Sequence, residues 1–158
     1  MLDSRNSVRG FSERVRKNLA FLNFARNLEA DVHIVTELMT SLLGLIVFPV
    51  EEIKATGYNG FKTRALSTLE AEDWPHWKFV LGHSEDLHDL LFHLRNAISH
   101  RRVTFSSESR VLQEVHITFA DRRPRQDQDY WAASINAEEL KTFVLKLAEL
   151  LDRIEKYE

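Results

Sequence analysis

Residue types capable of acid–base and phosphate chemistry concentrate between His88 and Arg102. Arg95 and His100 stand with four residues between them, and Asn96 follows the arginine directly. A histidine titrates near neutrality and can both take and give a proton. An arginine stays charged and offers a planar fork of donors that fits phosphate oxygens. An asparagine between them can position the histidine, a phosphate or a partner chain by hydrogen bonds.

These residues need a helix to present them. At roughly 100° per residue, Leu87, Leu90, Leu91, Leu94, Ala97 and Ile98 fall within one arc of about 120°. The opposite arc holds His88, Asp89, Phe92, His93, Arg95, Asn96, Ser99 and His100. The aliphatic side must meet the core. A merely solvated face is more often Lys and Glu than three histidines. Arg95, Asn96 and His100 are therefore the candidate catalytic group. His93, Ser99, Phe92, Asp89 and His88 are candidates for the lining of a cleft or for a dimer interface, with interface favoured for His93. Arg101 and Arg102, next along the chain, are candidates for phosphate contact. The competing reading is a helix-end pair, with His100 interacting with the dipole and Arg95 paired to a carboxylate such as Asp89.

Other chemistries have less support. The chain has no cysteine, so disulfides and thiolate metal sites are excluded. Asp89 and His93 share a face as two ligands would, but His83, His88 and His93 step by five and do not align. No His-Glu-x-x-His pattern or Gly-rich phosphate loop is present, so neither a metal nor a cofactor is expected. Arg122, Arg123 and Arg125 form a second basic group, with Asp121, Asp127 and Asp129 offsetting much of its field. Trp74, Trp77 and Trp131 could stack bases but are expected in the core.

Around the motif helix the pattern predicts a mainly α fold. A first helix is expected from about Ser12 to Leu28, with Val15, Leu19, Leu22 and Ala25 inward and Phe21 and Phe24 widening that stripe. A second is expected from about Asp31 to Val47, inward at Val35, Leu38, Leu42, Leu45 and Ile46 and stopped by Pro49. Gly57, Asn59 and Gly60 mark a loop, and Ser67 with Glu70 resembles a capping box opening a short helix. Trp74, Pro75 and Trp77 interrupt any longer helix. Ser84 is the expected cap of the motif helix. Val111, Val115, Ile117 and Phe119 alternate as a strand, with Tyr130 to Ile135 as hairpin partner, Val103 to Phe105 as a shorter strand and Ala120 to Asp129 as the charged connection. Asn136, with Glu139 three residues on, caps a last helix lined by Leu140, Val144, Leu147, Leu151 and Ile154. The expectation is a four-helix up-down bundle with a small β-hairpin inserted before the last helix, in a single domain over 1–158.

With 158 residues, 44% hydrophobic and 28% charged, the chain can bury one core. The polar N-terminal stretch does not read as a signal peptide, and Leu42 to Val50 is too short to span a membrane. No membrane association and a cytoplasmic location are expected. A net charge of −3 argues against avid coating of nucleic acid but not against transient binding at a local basic patch.

The string Arg95-Asn96-Ala97-Ile98-Ser99-His100 resembles the Arg-x4-6-His signature of the HEPN superfamily, in which a polar residue often follows the arginine. Its place at the end of a late helix is also similar. Phe24-Ala25-Arg26-Asn27-Leu28 and Leu42-Leu43-Gly44-Leu45-Ile46-Val47-Phe48-Pro49 resemble a prokaryotic subgroup. The resemblance implies a metal-independent endoribonuclease, a homodimer whose motif helices face each other, and a toxin or defence role. It also implies RNA as substrate and, for a toxin, an antitoxin partner of the nucleotidyltransferase type. A noncatalytic RNA- or protein-binding module of the same type is the alternative, and a helical adaptor whose polar face is a dimer seam is a third.

Overall fold

The computed structural model describes residues 4–55 and 63–154 of the backbone, and side chains over 10–47 and 63–153. The expected loop at Gly57, Asn59 and Gly60 lies outside the described residues, as does the Ile154 side chain.

The elements are α1 (Ser4–Asn27), α2 (Ile34–Ala55), α3 (Leu66–Ala71), β1 (Lys78–Leu81), α4 (Leu87–Ser99), β2 (Val103–Phe105), β3 (His116–Arg122), β4 (Asp129–Asn136) and α5 (Ala137–Ile154). A 3-10 turn at Leu112–Glu114 precedes β3. Residue contacts group them into two compact units, Met1–Asn59 with Phe143–Glu158, and Gly60–Thr142.

In the first unit α1 packs on α2. Val15, Leu19 and Ala25 are buried on α1, and Leu38, Leu42, Leu45 and Ile46 on α2. Gly44 admits the ring of Phe11, since a Cβ there would fall 2.3 Å from the ring's Cζ. Arg16 pairs with Asp152 of α5. Two expectations fail here. Phe21 and Phe24 do not widen the buried stripe, being 66% and 60% exposed. Pro49 does not stop α2, which runs on to Ala55. A proline inside a helix costs roughly 3 kcal/mol, which burying the leucines and isoleucine ahead of it can offset.

The second unit overturns the expected architecture. It is not a bundle with a small hairpin. Its described residues form a four-stranded antiparallel sheet ordered β1-β4-β3-β2 where a small hairpin was expected. The expected hairpin is its centre, pairing Ile117 with Ile135 and Phe119 with Ala133. The strand at Val103–Phe105 is found where expected and pairs on β3. The unexpected strand is β1, where Lys78 pairs with Ser134. It is a four-residue edge strand, largely exposed along its length, so no alternation of apolar and polar residues marks it. Trp74 and Trp77, just ahead of it, are buried, as is Trp131. Val111 does not begin the strand. It is 40% exposed, and the 3-10 turn intervenes.

The caps shift as well. No side chain caps α3, whose N-cap is Ala65, so the Ser67–Glu70 box is not formed. Asn136 does cap α5, its Oδ1 accepting from the Glu138 amide at 2.9 Å. Leu140, Val144, Leu147 and Leu151 of α5 are buried as expected.

Candidate functional site

α4 is built to hold one face down and one face up. Asp86, in extended conformation, caps it by accepting from the Asp89 amide at 2.8 Å, leaving a second carboxylate at Asp89 near the positive end of the helix. Ser84 is not the cap. It is buried and accepts from the Trp131 indole at 3.0 Å. Leu87, Leu90, Leu91, Leu94 and Ala97 are buried, and the helix lies against β3.

The helix ends at the motif. His100 is the C-cap. Arg101 follows with φ of 57°, in the left-handed region. Its amide donates to Ile98 O at 3.1 Å and the Arg102 amide donates to Ala97 O at 2.8 Å. That is the paired closure of a Schellman turn, which glycine usually makes. An arginine there carries a cost of roughly 1–2 kcal/mol. The turn sends the chain straight into β2, and Ala120 of β3 donates its amide to Arg102 O at 2.9 Å.

Arg95 and His100 are both exposed, and so are His88, Phe92, Ser99 and Arg101. Asn96, Asp89 and Arg102 are half-buried. His88, Phe92, Arg95 and Ser99 recur at helical spacing and form one exposed stripe, with the Phe92 ring 46% exposed in the middle of it. The three histidines do not act as a set. His93 is 5% exposed and stacks on the Trp131 ring, centroids 4.6 Å apart. It does not reach the open face. On a bare wheel it lies beside His100, but β3 and β4 cover its side of the helix, and His100 has left helical geometry.

What holds His93 is a residue counted in the sequence only as a surface charge. Asp121 is 1% exposed. It does not lie in the connection between the strands but in β3, on the inward side that also carries Ile117 and Phe119. Its Oδ2 accepts from His93 Nδ1 at 2.8 Å, from Asn96 Nδ2 at 3.0 Å and from the Tyr130 hydroxyl at 3.4 Å. Its Oδ1 accepts from the Arg122 amide at 2.8 Å, and the Arg102 guanidinium lies 3.7 Å away. A carboxylate taken out of water needs such partners. The far nitrogen of His93 lies 3.5 Å from Asp89. The sequence did carry a signal. Continuing the Ile117, Phe119 alternation by one more inward position lands on Asp121, an acidic residue where an apolar one belongs.

Tyr130 completes the group. Burial pushes its phenol above the ordinary value, and the Asp121 carboxylate adds to the rise by charge and hydrogen bond, while Arg123 works against it. The Arg123 guanidinium sits 5.1 Å over the Tyr130 ring. Arg122 pairs with Asp129 at 2.6 Å, and Arg125 is exposed at the turn between β3 and β4. Among the described residues, no cluster of three or more His, Asp or Glu side chains is arranged to hold a metal ion. No described helix is long and apolar enough to cross a membrane.

Compared with known protein families, residues 1–158 match the family model described as HEPN pEK499 p136. No curated protein and no solved structure matches the chain.

Proposed function

The chain belongs to the HEPN family described as pEK499 p136, and from that premise we propose that it is a metal-independent endoribonuclease acting through Arg95, His100 and Asn96. The observation that carries the reading is the placement of Arg95 and His100. Both are exposed on the last turn of α4 and its cap, while the aliphatic side of the same helix is buried.

RNA brings its own nucleophile. A base takes the proton of the ribose 2′-hydroxyl, the 2′-oxygen bonds to phosphorus, and the bond from phosphorus to the 5′-oxygen breaks as an acid protonates it. The products are a 2′,3′-cyclic phosphate and a 5′-hydroxyl. His100 supplies the proton transfers. Arg95 holds the non-bridging oxygens as charge grows on them. Arg101 guides the flanking backbone, with Arg102 beside it.

The functional unit is a two-fold dimer through the stripe of His88, Phe92, Arg95 and Ser99. A two-fold interface uses the same patch on both copies, and this one would bring two Arg95 and two His100 to one cleft, giving an acid and a base from one residue type. An apolar ring exposed among polar residues suits such a seam. The physiological setting we propose is a cytoplasmic toxin or defence effector, held in check by a nucleotidyltransferase-type antitoxin.

The test is cleavage of total RNA by purified protein in EDTA. Arg95→Ala and His100→Ala are each expected to lower the rate by about 10²–10⁴. Cleavage that needs added divalent metal, or that survives both substitutions, would refute the reading. RNA binding without cleavage by the unaltered protein would point instead to a binding module.

A further inference from the structure

The motif's asparagine is held by a residue far away in sequence. Asn96 Nδ2 donates to Asp121 Oδ2 at 3.0 Å, across 25 positions of chain and from a different kind of element. A carboxylate cannot donate, so it determines which end of the Asn96 amide faces it. The nitrogen must, and the oxygen is the end left to accept. The same carboxylate grips His93, two positions before Arg95, and lies 3.7 Å from the guanidinium of Arg102, two positions after His100. Asp121 therefore ties the sheet to the motif helix on both sides of the proposed catalytic pair.

We propose that Asp121 is a positioning residue for this site, fixing the Asn96 amide so that its oxygen accepts from the 2′-hydroxyl of a ribose flanking the cleavage point, whose hydrogen is not the one His100 removes. The inference rests on the ribonuclease reading above. It gives the sheet a share in the chemistry and gives the site a reason to prefer ribose over deoxyribose. The demand on residue 121 is strict. Donors point at both oxygens, with His93, Asn96 and Tyr130 on one and the Arg122 amide and Arg102 on the other. An asparagine there would turn an NH2 toward one of these sets.

The probes are a mixed-sequence single-stranded RNA and the DNA of the same sequence. Asp121→Asn is expected to lower kcat by about 10- to 100-fold with little change in KM, as displaced catalytic groups do, and to shrink the preference for RNA over DNA in binding. If Asp121 works through Asn96, then Asp121→Asn adds little further loss in an Asn96→Ala background. Multiplying losses would overturn the proposal. Asn96→Asp supplies a second arm if Asp121→Asn does not fold. It sets two carboxylates against each other beside His93, Arg102, Tyr130 and Asp89, and one must take a proton before it can donate as the amide does. Its activity is expected to peak at lower pH than that of the unaltered protein, and an unmoved profile would overturn the proposal. If the unaltered protein cleaves no RNA, the ribonuclease reading fails separately. The side-chain amide of Asn96, followed by nuclear magnetic resonance, then decides the placement. It should be protected from exchange in the unaltered protein and lose that protection in Asp121→Asn. No difference between the two would sink the assignment.

Discussion

Arg95 and His100 are the residues on which function turns, and their exposure makes them separable from stability. Surface substitutions usually move stability by no more than about 0.5 kcal/mol. Arg95→Ala and His100→Ala should therefore lose RNA cleavage while keeping the melting temperature and circular dichroism of the unaltered protein. A variant that lost activity by unfolding would show both falling together. Tyr130 gives a prediction in pH. Its phenol is raised above the ordinary 10.0, so the folded chain holds that proton more tightly than the unfolded one. The stability this contributes is complete below about pH 10 and is lost as pH rises through the folded value. The phenolate absorbance of Tyr130 should therefore appear late in an alkaline titration. Tyr130→Phe should remove that late step and weaken the matching alkaline destabilisation. An identical titration in both proteins would contradict it. At this scale the sequence exposed Arg95, Asn96 and His100 because they sit on one helix with a recognisable spacing. It hid the partnership of Asn96 with Asp121, because pairing across 25 positions is set by how a helix lies on a sheet.

The turn that ends α4 has a property of its own. Arg101 occupies a left-handed position that glycine would fill without strain. Arg101→Gly is expected to stabilise the protein by about 1 kcal/mol and to weaken RNA binding at the same time, read by thermal unfolding and by fluorescence anisotropy. A stabilised variant with unchanged RNA affinity would remove Arg101 from the binding surface and leave the strain unexplained. Elements with a strong period were legible: α4 by its aliphatic arc, β3 and β4 by alternation, α5 by its cap and leucine stripe. Those without one were not. β1 has four residues and is mostly exposed, and it becomes a strand only because β4 offers it an edge. α2 continues through Pro49, with Leu42, Leu45 and Ile46 buried ahead of it, at a local cost that a reading of the sequence alone treats as decisive. Phe21 and Phe24 fit a helical stripe on α1, yet α1 buries only part of its apolar surface.

At the scale of the whole molecule, the proposed activity needs a motif helix, a supporting sheet and a second copy. The exposed stripe of His88, Phe92, Arg95 and Ser99 predicts a dimer, and Phe92→Glu should shift sedimentation toward the monomer and lower RNA cleavage together. A monomeric variant with full activity would separate dimerisation from catalysis. The central claim is that this chain cuts RNA by attack of the neighbouring 2′-hydroxyl with no metal. The most direct measurement is the chemistry of the ends it leaves on RNA in the presence of EDTA. The account predicts 2′,3′-cyclic phosphate and 5′-hydroxyl termini, absent when His100→Ala replaces the unaltered protein. Ends bearing a 5′-phosphate and a 3′-hydroxyl, or no cut that depends on His100, would contradict it.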